Sequence, residues 1–448
     1  MPQQTLIRSL NLRSLVIFGL AYMTPLIVIG TFGVIASTTS GASAGAYALA
    51  TAAMLFTAHS YARMASVYPV SGSAYTYVRS TMGAKPGFLV GWMTLLDYLF
   101  LPMVIWLIGG SYLQAQFPAI PLAIWIIIFI VITTTVNVIG VRVADKVNVV
   151  LMTFQALVLA LFVLFSVVAV TSEDGLPGVF SVAPFLGEAG EFTPVVAGAA
   201  VAAYAFLGFD AVTTMSEETV EPRKTVPKAI MLIALIGGGI FVAVSYAVQL
   251  VHPGGVFSNV DTAGFEIATR IGGAAFAAVF IAALVIAQFT SGIAAQTAGS
   301  RLLYAMGRDR VMPKIFAKLA PRFATPVIAI VAIGVVGLIA LAMDVATSTS
   351  FINFGAFISF AMVNVAVLVY WSQRRRAGEY LNALAWVVAP LVGVIVVLML
   401  LTQLDIHAIT LGTSWLVIGV IILAVLTRGF RADPPETVEE LAEKTEVQ

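Results

Sequence analysis

Apolar runs of eighteen or more residues follow one another along the chain, separated by short polar segments that hold nearly all of its charge. Runs of that length read as helices that cross a bilayer, since about 20 residues at 1.5 Å rise cover the hydrocarbon. The pattern predicts twelve spans, near residues 14–37, 43–62, 87–112, 120–140, 147–171, 194–216, 228–250, 271–304, 326–343, 348–371, 383–402 and 409–427. The eighth is longer than a bilayer requires and is expected to run on past it. The reading is one all-α polytopic membrane domain over residues 1–427, followed by an acidic tail over 428–448. That tail, "ADPPETVEELAEKTEVQ" after Arg431, reads as solvated or loosely helical.

Positive residues concentrate in cytoplasmic loops, so Lys and Arg assign a direction. With the N-terminus inside, alternate segments collect 22 of the 23 Lys and Arg residues, from Arg8 and Arg13 to Arg428, Arg431 and Lys444, and leave only Arg270 outside. One helix more or fewer would scramble that partition. Both termini are therefore expected in the cytoplasm. The composition agrees, being 60% hydrophobic and 10% charged, with a mean hydropathy of +1.01. Soluble domains carry about 25% charge.

Composition also narrows the function. A formal charge of +1 spread over separate loops does not form a nucleic-acid patch. With no cysteine there is no disulfide, thiol nucleophile or thiolate metal site, and His59, His252 and His407 fall in distant segments. No cofactor or metal site is expected. The first apolar run, Leu15 to Ala36, is too long for a signal core and reads as a span.

Two spans are interrupted. The first reads "GLAYMTPLIVIGTFG", with Pro25 inside it, and the sixth reads "AYAFLGFDAVTTMSEE", with Gly208 and Asp210 inside it. Proline removes a helix hydrogen bond. Five helices separate the breaks, so a five-helix unit repeated once would come out inverted, with repeats over 14–171 and 194–371 and spans 11 and 12 at 383–427 outside them. Paired interruptions in inverted halves mark a midplane binding site in secondary transporters. Taken singly, each is an ordinary kink. If both are real, Tyr22, Thr24, Tyr204 and Phe206 line a pocket, and unwound carbonyls can hold a cation.

Asp97, in "LLDYLFLPM", and Asp210 are the acids placed well inside spans, with no Lys or Arg at similar depth. Charges there usually mark ion, proton or substrate paths. The partner is then a proton, a sodium ion or an organic cation. Other readings stay open: Asp97 as a structural acid bonded to a neighbour, and Asp210 in the first turn of a half-helix, where the helix dipole favours an anion. Ser291 is a candidate sodium ligand on one hydroxyl, and Asn364 a bridge between helices.

The stretches "GLAYMTP" and "TFG", "GSAYTY", "FLVGW" and "LLDYLFLPM", "FLGFDAVTT" and "SEET", "SRLLYAMGRD", and "INFGAF" with "VN" resemble amino acid–polyamine–organocation transporters from end to end. The similarity is greatest to the putrescine importer branch. The resemblance implies a leucine-transporter-type fold of ten core helices in a 5+5 inverted repeat, with substrate between the breaks in spans 1 and 6 and spans 3, 8 and 10 lining it. It ties Tyr98 to amine recognition beside Asp97.

Three positions depart from the family. Met23, Thr24 and Pro25 replace a small glycine-rich break whose bare amides hold a substrate carboxylate. Gly30 stands where such importers carry an acid. Gln155 stands where some proton-coupled relatives carry a lysine. The expectation is a secondary active importer of a small amine or an amino acid. It works by alternating access in the cell membrane, with a proton favoured over sodium as coupling ion. The alternatives are an amino acid permease or exchanger without polyamine activity and, further off, a membrane-embedded enzyme or a channel.

Overall fold

A computed structural model of the protein describes residues 10–70, 73–140, 145–187, 190–308, 312–320 and 325–434. Arg8, Arg142, Arg310, Arg322 and Lys444, the Gly72 of "GSAYTY" and most of the acidic tail lie outside the described residues. Among the described residues the chain is all helical, and its one strand-like pairing is an isolated bridge between Leu10 and Thr219. Among the described residues, ten helices are long and apolar enough to cross a membrane. The bent pair Phe32–Thr38 and Ser43–Val67, at 100°, brings the number to eleven.

The ninth expected span falls short. It is an 11-residue α-helix, Val327–Gly337, that tightens into a five-residue 3-10 turn at Leu338–Ala342. The second and tenth run longer than their apolar cores, as Ser43–Val67 and Val345–Arg376. The seventh begins at Pro222, where a missing N–H costs a first helical turn nothing. The eighth belongs to a 46-residue helix, Ala263–Arg308, whose left-handed Gly273 (φ 68°) sets the first ten residues apart from the span itself.

Burial sorts the spans. In the sixth, 94% of the apolar window is buried in protein, against 17% in the twelfth. The fourth and twelfth keep Ile127, Val131, Val417 and Ile421 exposed along one side. A water-soluble chain would not leave such faces bare, whereas hydrocarbon solvates them. Between the buried spans, packing is close enough to require glycine. A Cβ on Gly299 of span 8 would lie 2.5 Å from the backbone oxygen of Tyr98 in span 3, and one on Gly292 would lie 3.0 Å from Trp106 Nε1. Gly109 of span 3 in turn meets the Cβ of Gln288. The two helices are thus antiparallel, with residues 98, 106 and 109 level with 299, 292 and 288.

Polar side chains add stitches where apolar packing alone gives no direction. Asn364 of span 10 accepts from Ser60 Oγ (2.6 Å) and donates to Thr57 Oγ1 (3.3 Å), both in span 2. Trp92 and Trp415 stack at 4.6 Å, and each indole N–H donates to the other residue's carbonyl, holding span 12 against span 3. At one end, Leu10 N–H donates to Glu218 O and Val220 N–H donates to Leu10 O, joining the approach to span 1 with the exit of span 6.

Gly299→Val should force spans 3 and 8 apart, because backbone cannot yield as a flexible side chain would. The expected outcome is a loss of about 1–3 kcal/mol or more, read as a lower melting temperature of the detergent-purified protein. An unchanged melting temperature would contradict the close approach.

Candidate functional site

Span 1 unwinds where its sequence says it must. Pro25 cannot donate and disfavours the α region for the residue before it. The first helix ends at Met23, and Thr24 turns left-handed (φ 50°, ψ 82°). A non-glycine residue there is strained, and two bonds hold it: Thr24 N–H to Leu20 O and Thr24 Oγ1 to Ala21 O, each 3.1 Å. Helix resumes at Ile27–Gly30, hitches at Thr31, and continues as Phe32–Thr38. Tyr112 of span 3 donates to Ile29 O (3.0 Å), just before the hitch.

Span 6 breaks more thoroughly. Its α-helix, Phe192–Ala202, gives way to a 3-10 turn at Ala203–Phe206, an unwound stretch over 207–210, and a second 3-10 segment at Ala211–Glu218. The second half is therefore not the α-helix that the apolar pattern suggested. Its own hydroxyls explain this: Thr213, Thr214 and Ser216 each donate to the carbonyl three residues back, at 2.6–2.7 Å. Such local bonds compete with the i−4 ladder. Asn353 of span 10 donates to Ala200 O (2.8 Å), meeting an orphan carbonyl at the first half's end.

The two breaks touch. Gly208 is left-handed (φ 107°), and the Tyr22 ring lies where a methyl group on it would be. Only glycine serves both demands. Asp210 follows at the head of the inner 3-10 segment without capping it; instead Ser73 Oγ donates to its carboxylate at 3.0 Å. Ser73 is itself left-handed (φ 50°) and buried. Tyr61 packs edge-on against Tyr77, Phe209 and Phe360, bracing this corner.

Asp97 has no such partner. Its Oδ1 is buried with no hydrogen bond, and none of the described ion pairs involves Asp97 or Asp210. Tyr22, Tyr98, Tyr204 and Asp210 all stand within reach of its charge. A buried acceptor left open in this way costs free energy unless something else meets it. One turn further along the same face of span 3, Leu101 and then Ile105 line a small cavity of about 20 Å3, room for roughly one water. Tyr22, Met23, Thr24 and Ile27 close it from the first break, Tyr204 and Leu207 from the second, and Gln288 and Ser291 from span 8.

The structure thus gathers Tyr22, Met23, Thr24, Tyr204 and Ser291 around one cavity, with Gly208, Asp97 and Asp210 beside it. Pro25 sets the break without lining the cavity. Tyr98 is buried next to Asp97. Phe206 turns away, its ring edge-on to Phe241 of span 7 at 5.1 Å. Gln155 is buried on span 5 and is not part of the cavity wall. Sequence reasoning did not single out Gln288, whose one signal is its place three residues before Ser291 in an otherwise apolar stretch. A larger concavity, about 500 Å3, opens between spans 2 and 7 beside Phe185 and Tyr246. It offers no charged group, and the Tyr246 hydroxyl already donates to Val179 O at 2.6 Å, so it does not compete as the site.

Gly208→Ala should abolish substrate uptake while the protein still reaches the membrane, because the added methyl meets both an unfavourable φ and the Tyr22 ring. Tyr22→Ala in the same chain removes the overlap and should restore part of it. Full uptake by Gly208→Ala alone would refute the contact between the breaks.

Comparison with known proteins agrees with this architecture. The family described as amino acid permease matches residues 10–427. The low-affinity putrescine importer PlaP of Escherichia coli (strain K12) is 35% identical over 432 residues, 96% of each chain. The branched-chain amino acid permease BcaP of Bacillus subtilis (strain 168) is 26% identical over 427 residues, 90% of each chain. The methylthioribose transporter of the same organism is 28% identical over 391 residues, 82% of each chain. These relatives are transporters and permeases, not enzymes. With its family match running almost end to end and its two broken helices meeting inside a bundle of apolar spans, this chain belongs to the amino acid permease family of integral membrane transporters.

Proposed function

We propose that the protein is a secondary active importer of a small organic amine, working by alternating access in a bacterial cytoplasmic membrane. The observation that carries this reading is Oδ1 of Asp97, buried without a hydrogen-bond partner one turn from the cavity wall at Leu101. With no Lys or Arg to neutralise it, an arriving ammonium supplies the missing charge and the missing hydrogen-bond donor together. Charge-assisted bonds of that kind are about twice as strong as neutral ones. Tyr22, Tyr98 and Tyr204 surround the same place with aromatic faces and hydroxyls, which suit an ammonium.

Support from relatives runs the same way. A putrescine importer is 35% identical over nearly the whole chain. The break argues against a carboxylate-bearing substrate, because Pro25 has no N–H to offer and Thr24 spends its own on Leu20 O. An amino acid substrate is the second reading, and it rests on a branched-chain amino acid permease among the relatives.

In this mechanism the chain has twelve spans in a 5+5 inverted repeat, with spans 11 and 12 peripheral and both termini cytoplasmic. Asp97 and Tyr98 take the ammonium. Asp210, held by Ser73, is the second charge and the candidate for proton coupling. The bridge at Leu10 and Thr219 lets the inner ends of spans 1 and 6 move together.

Asp97→Asn should reduce counterflow of putrescine in proteoliposomes by at least about tenfold, the scale of a lost charge-assisted bond, while expression and melting temperature stay near wild type. Normal exchange by that variant would remove Asp97 from the site. Exchange restricted to neutral amino acids would instead favour the second reading.

A further inference from the structure

Span 11 starts irregularly, and one proline is the reason. Ala389 N–H bonds Leu384 O, closing a π-turn over Leu384–Val388, and Pro390 has no N–H to offer the next carbonyl. That carbonyl, Ala385 O, is met from span 2, where His59 Nε2 lies 2.8 Å away. A carbonyl only accepts, so the imidazole proton sits on Nε2. Arg63, one turn further along span 2, points its Nε–H at the same nitrogen from 3.4 Å. A nitrogen that donates cannot also accept, so Arg63 gains no hydrogen bond there.

What holds the Arg63 guanidinium is a ring. Its Cζ stands 5.5 Å from the centre of Trp386, and Trp386 stacks on Tyr370 of span 10 at 5.4 Å. Arg374 in turn lies over Tyr370 at 5.1 Å, and Arg375 over Trp371 at 5.0 Å. Such contacts engage the flat face of a guanidinium and leave its N–H edge for another partner. Among the described residues, the one ion pair made by Arg63, Arg374, Arg375 or Arg376 joins Arg374 to Glu379 at 2.8 Å. This end of spans 2, 10 and 11 therefore carries fixed donors in excess over acceptors.

The surroundings decide which oxyanion completes them. Away from Arg63, span 2 leaves Phe56, Leu55 and Ala52 at least partly exposed, and span 11 exposes Val388, Leu391 and Ile395. Both stripes recur at helical spacing, and hydrocarbon is what solvates them. The arginines thus stand at the head of an apolar seam, ringed by the tryptophan and tyrosine side chains that favour a membrane interface. A free phosphate would use the head alone, whereas a phospholipid uses the head and the seam together. An ammonium-bearing headgroup would meet repulsion from the unpaired arginines.

We propose that Arg63, held over Trp386 and backed by Arg374 across the Trp386–Tyr370 stack, binds the phosphate of an anionic phospholipid whose chains lie along spans 2 and 11. The site is separate from the cavity between the broken helices and does not depend on what is carried. A guanidinium fork matches two phosphate oxygens at once. The bound headgroup ties span 2 to spans 10 and 11, where His59 alone supplies a single hydrogen bond to the π-turn.

The test is thermal stabilisation of the purified full-length protein in neutral detergent, independent of transport. The probes are dioleoylphosphatidylglycerol, dioleoylphosphatidylethanolamine and inorganic phosphate, each titrated separately. Phosphatidylglycerol should reach half of its effect at a concentration about tenfold lower than phosphatidylethanolamine, the scale of one charge-assisted hydrogen bond. Inorganic phosphate should give no shift over the same range. Arg63→Gln should erase the preference, and Arg63→Lys, which keeps the charge but loses the fork, should retain part of it. Equal midpoints for the two lipids in the wild type, or a preference that survives Arg63→Gln, overturn the site. Equal stabilisation by inorganic phosphate assigns the arginines to a soluble anion and overturns the lipid. A lipid-free melting temperature lowered by Arg63→Gln, with no preference in the wild type, means that an acid of the tail occupies Arg63 instead.

Discussion

Hydrocarbon offers no water to a bare N–H or C=O, so each interruption of a membrane-spanning helix has to find replacement partners inside the protein. The rest of this structure is arranged around that constraint. Span 1 cannot stay helical through Pro25, and span 6 unwinds across Leu207 to Asp210. Asn353 meets a carbonyl at the end of the first half of span 6, Tyr112 meets one in the second part of span 1, and Thr24 folds back on Leu20 and Ala21. The first two partners come from spans 3 and 10, both among the most deeply buried helices. Unwound backbone is tolerated where other helices surround it.

Within that enclosure, charge is treated unevenly. Asp210 has a hydroxyl partner in Ser73, held in a strained backbone conformation. Asp97, on a regular helix, has one oxygen with nothing. Strain kept at one carboxylate and an open valence at the other are costs that folding alone does not require. They make sense in a protein whose polar groups are completed by what it carries. The two acids accordingly differ, one bonded into the packing of its corner and the other with an oxygen left unpartnered.

Glycine does the complementary work. Gly208 lets Tyr22 lie on the second break, and Gly299 and Gly292 let span 8 approach span 3 to backbone distance. That approach sets the register that places Gln288 and Ser291 of span 8 in one cavity wall with Leu101 and Ile105 of span 3. Side chains with polar ends thus appear at fixed heights on two stiff helices, where spacing is set by helical rise rather than by loop conformation.

Hydropathy alone located the apolar helices, because eighteen or more residues without charge have few other fates in water. It marked Pro25 and Gly208 as breaks, since one lacks a donor and the other a Cβ. It also singled out Asp97 and Asp210 as misplaced charges. These are properties of a residue and its immediate neighbours. What no single stretch contained was which partners the breaks and charges would meet. That Ser73 lies 137 positions from Asp210 in sequence yet 3.0 Å away, that Phe206 packs on span 7 instead of the cavity, that span 9 is too short to match its apolar run, and that the inner half of span 6 winds as 3-10 all depend on helices packed across the bundle or on hydroxyls outcompeting the α ladder. Gln288 illustrates the difference best. In sequence it is one amide in an apolar run, and only the antiparallel register of spans 3 and 8, decided by glycine contacts between residues some two hundred positions apart, turns it toward the same cavity as Tyr22 and Tyr204.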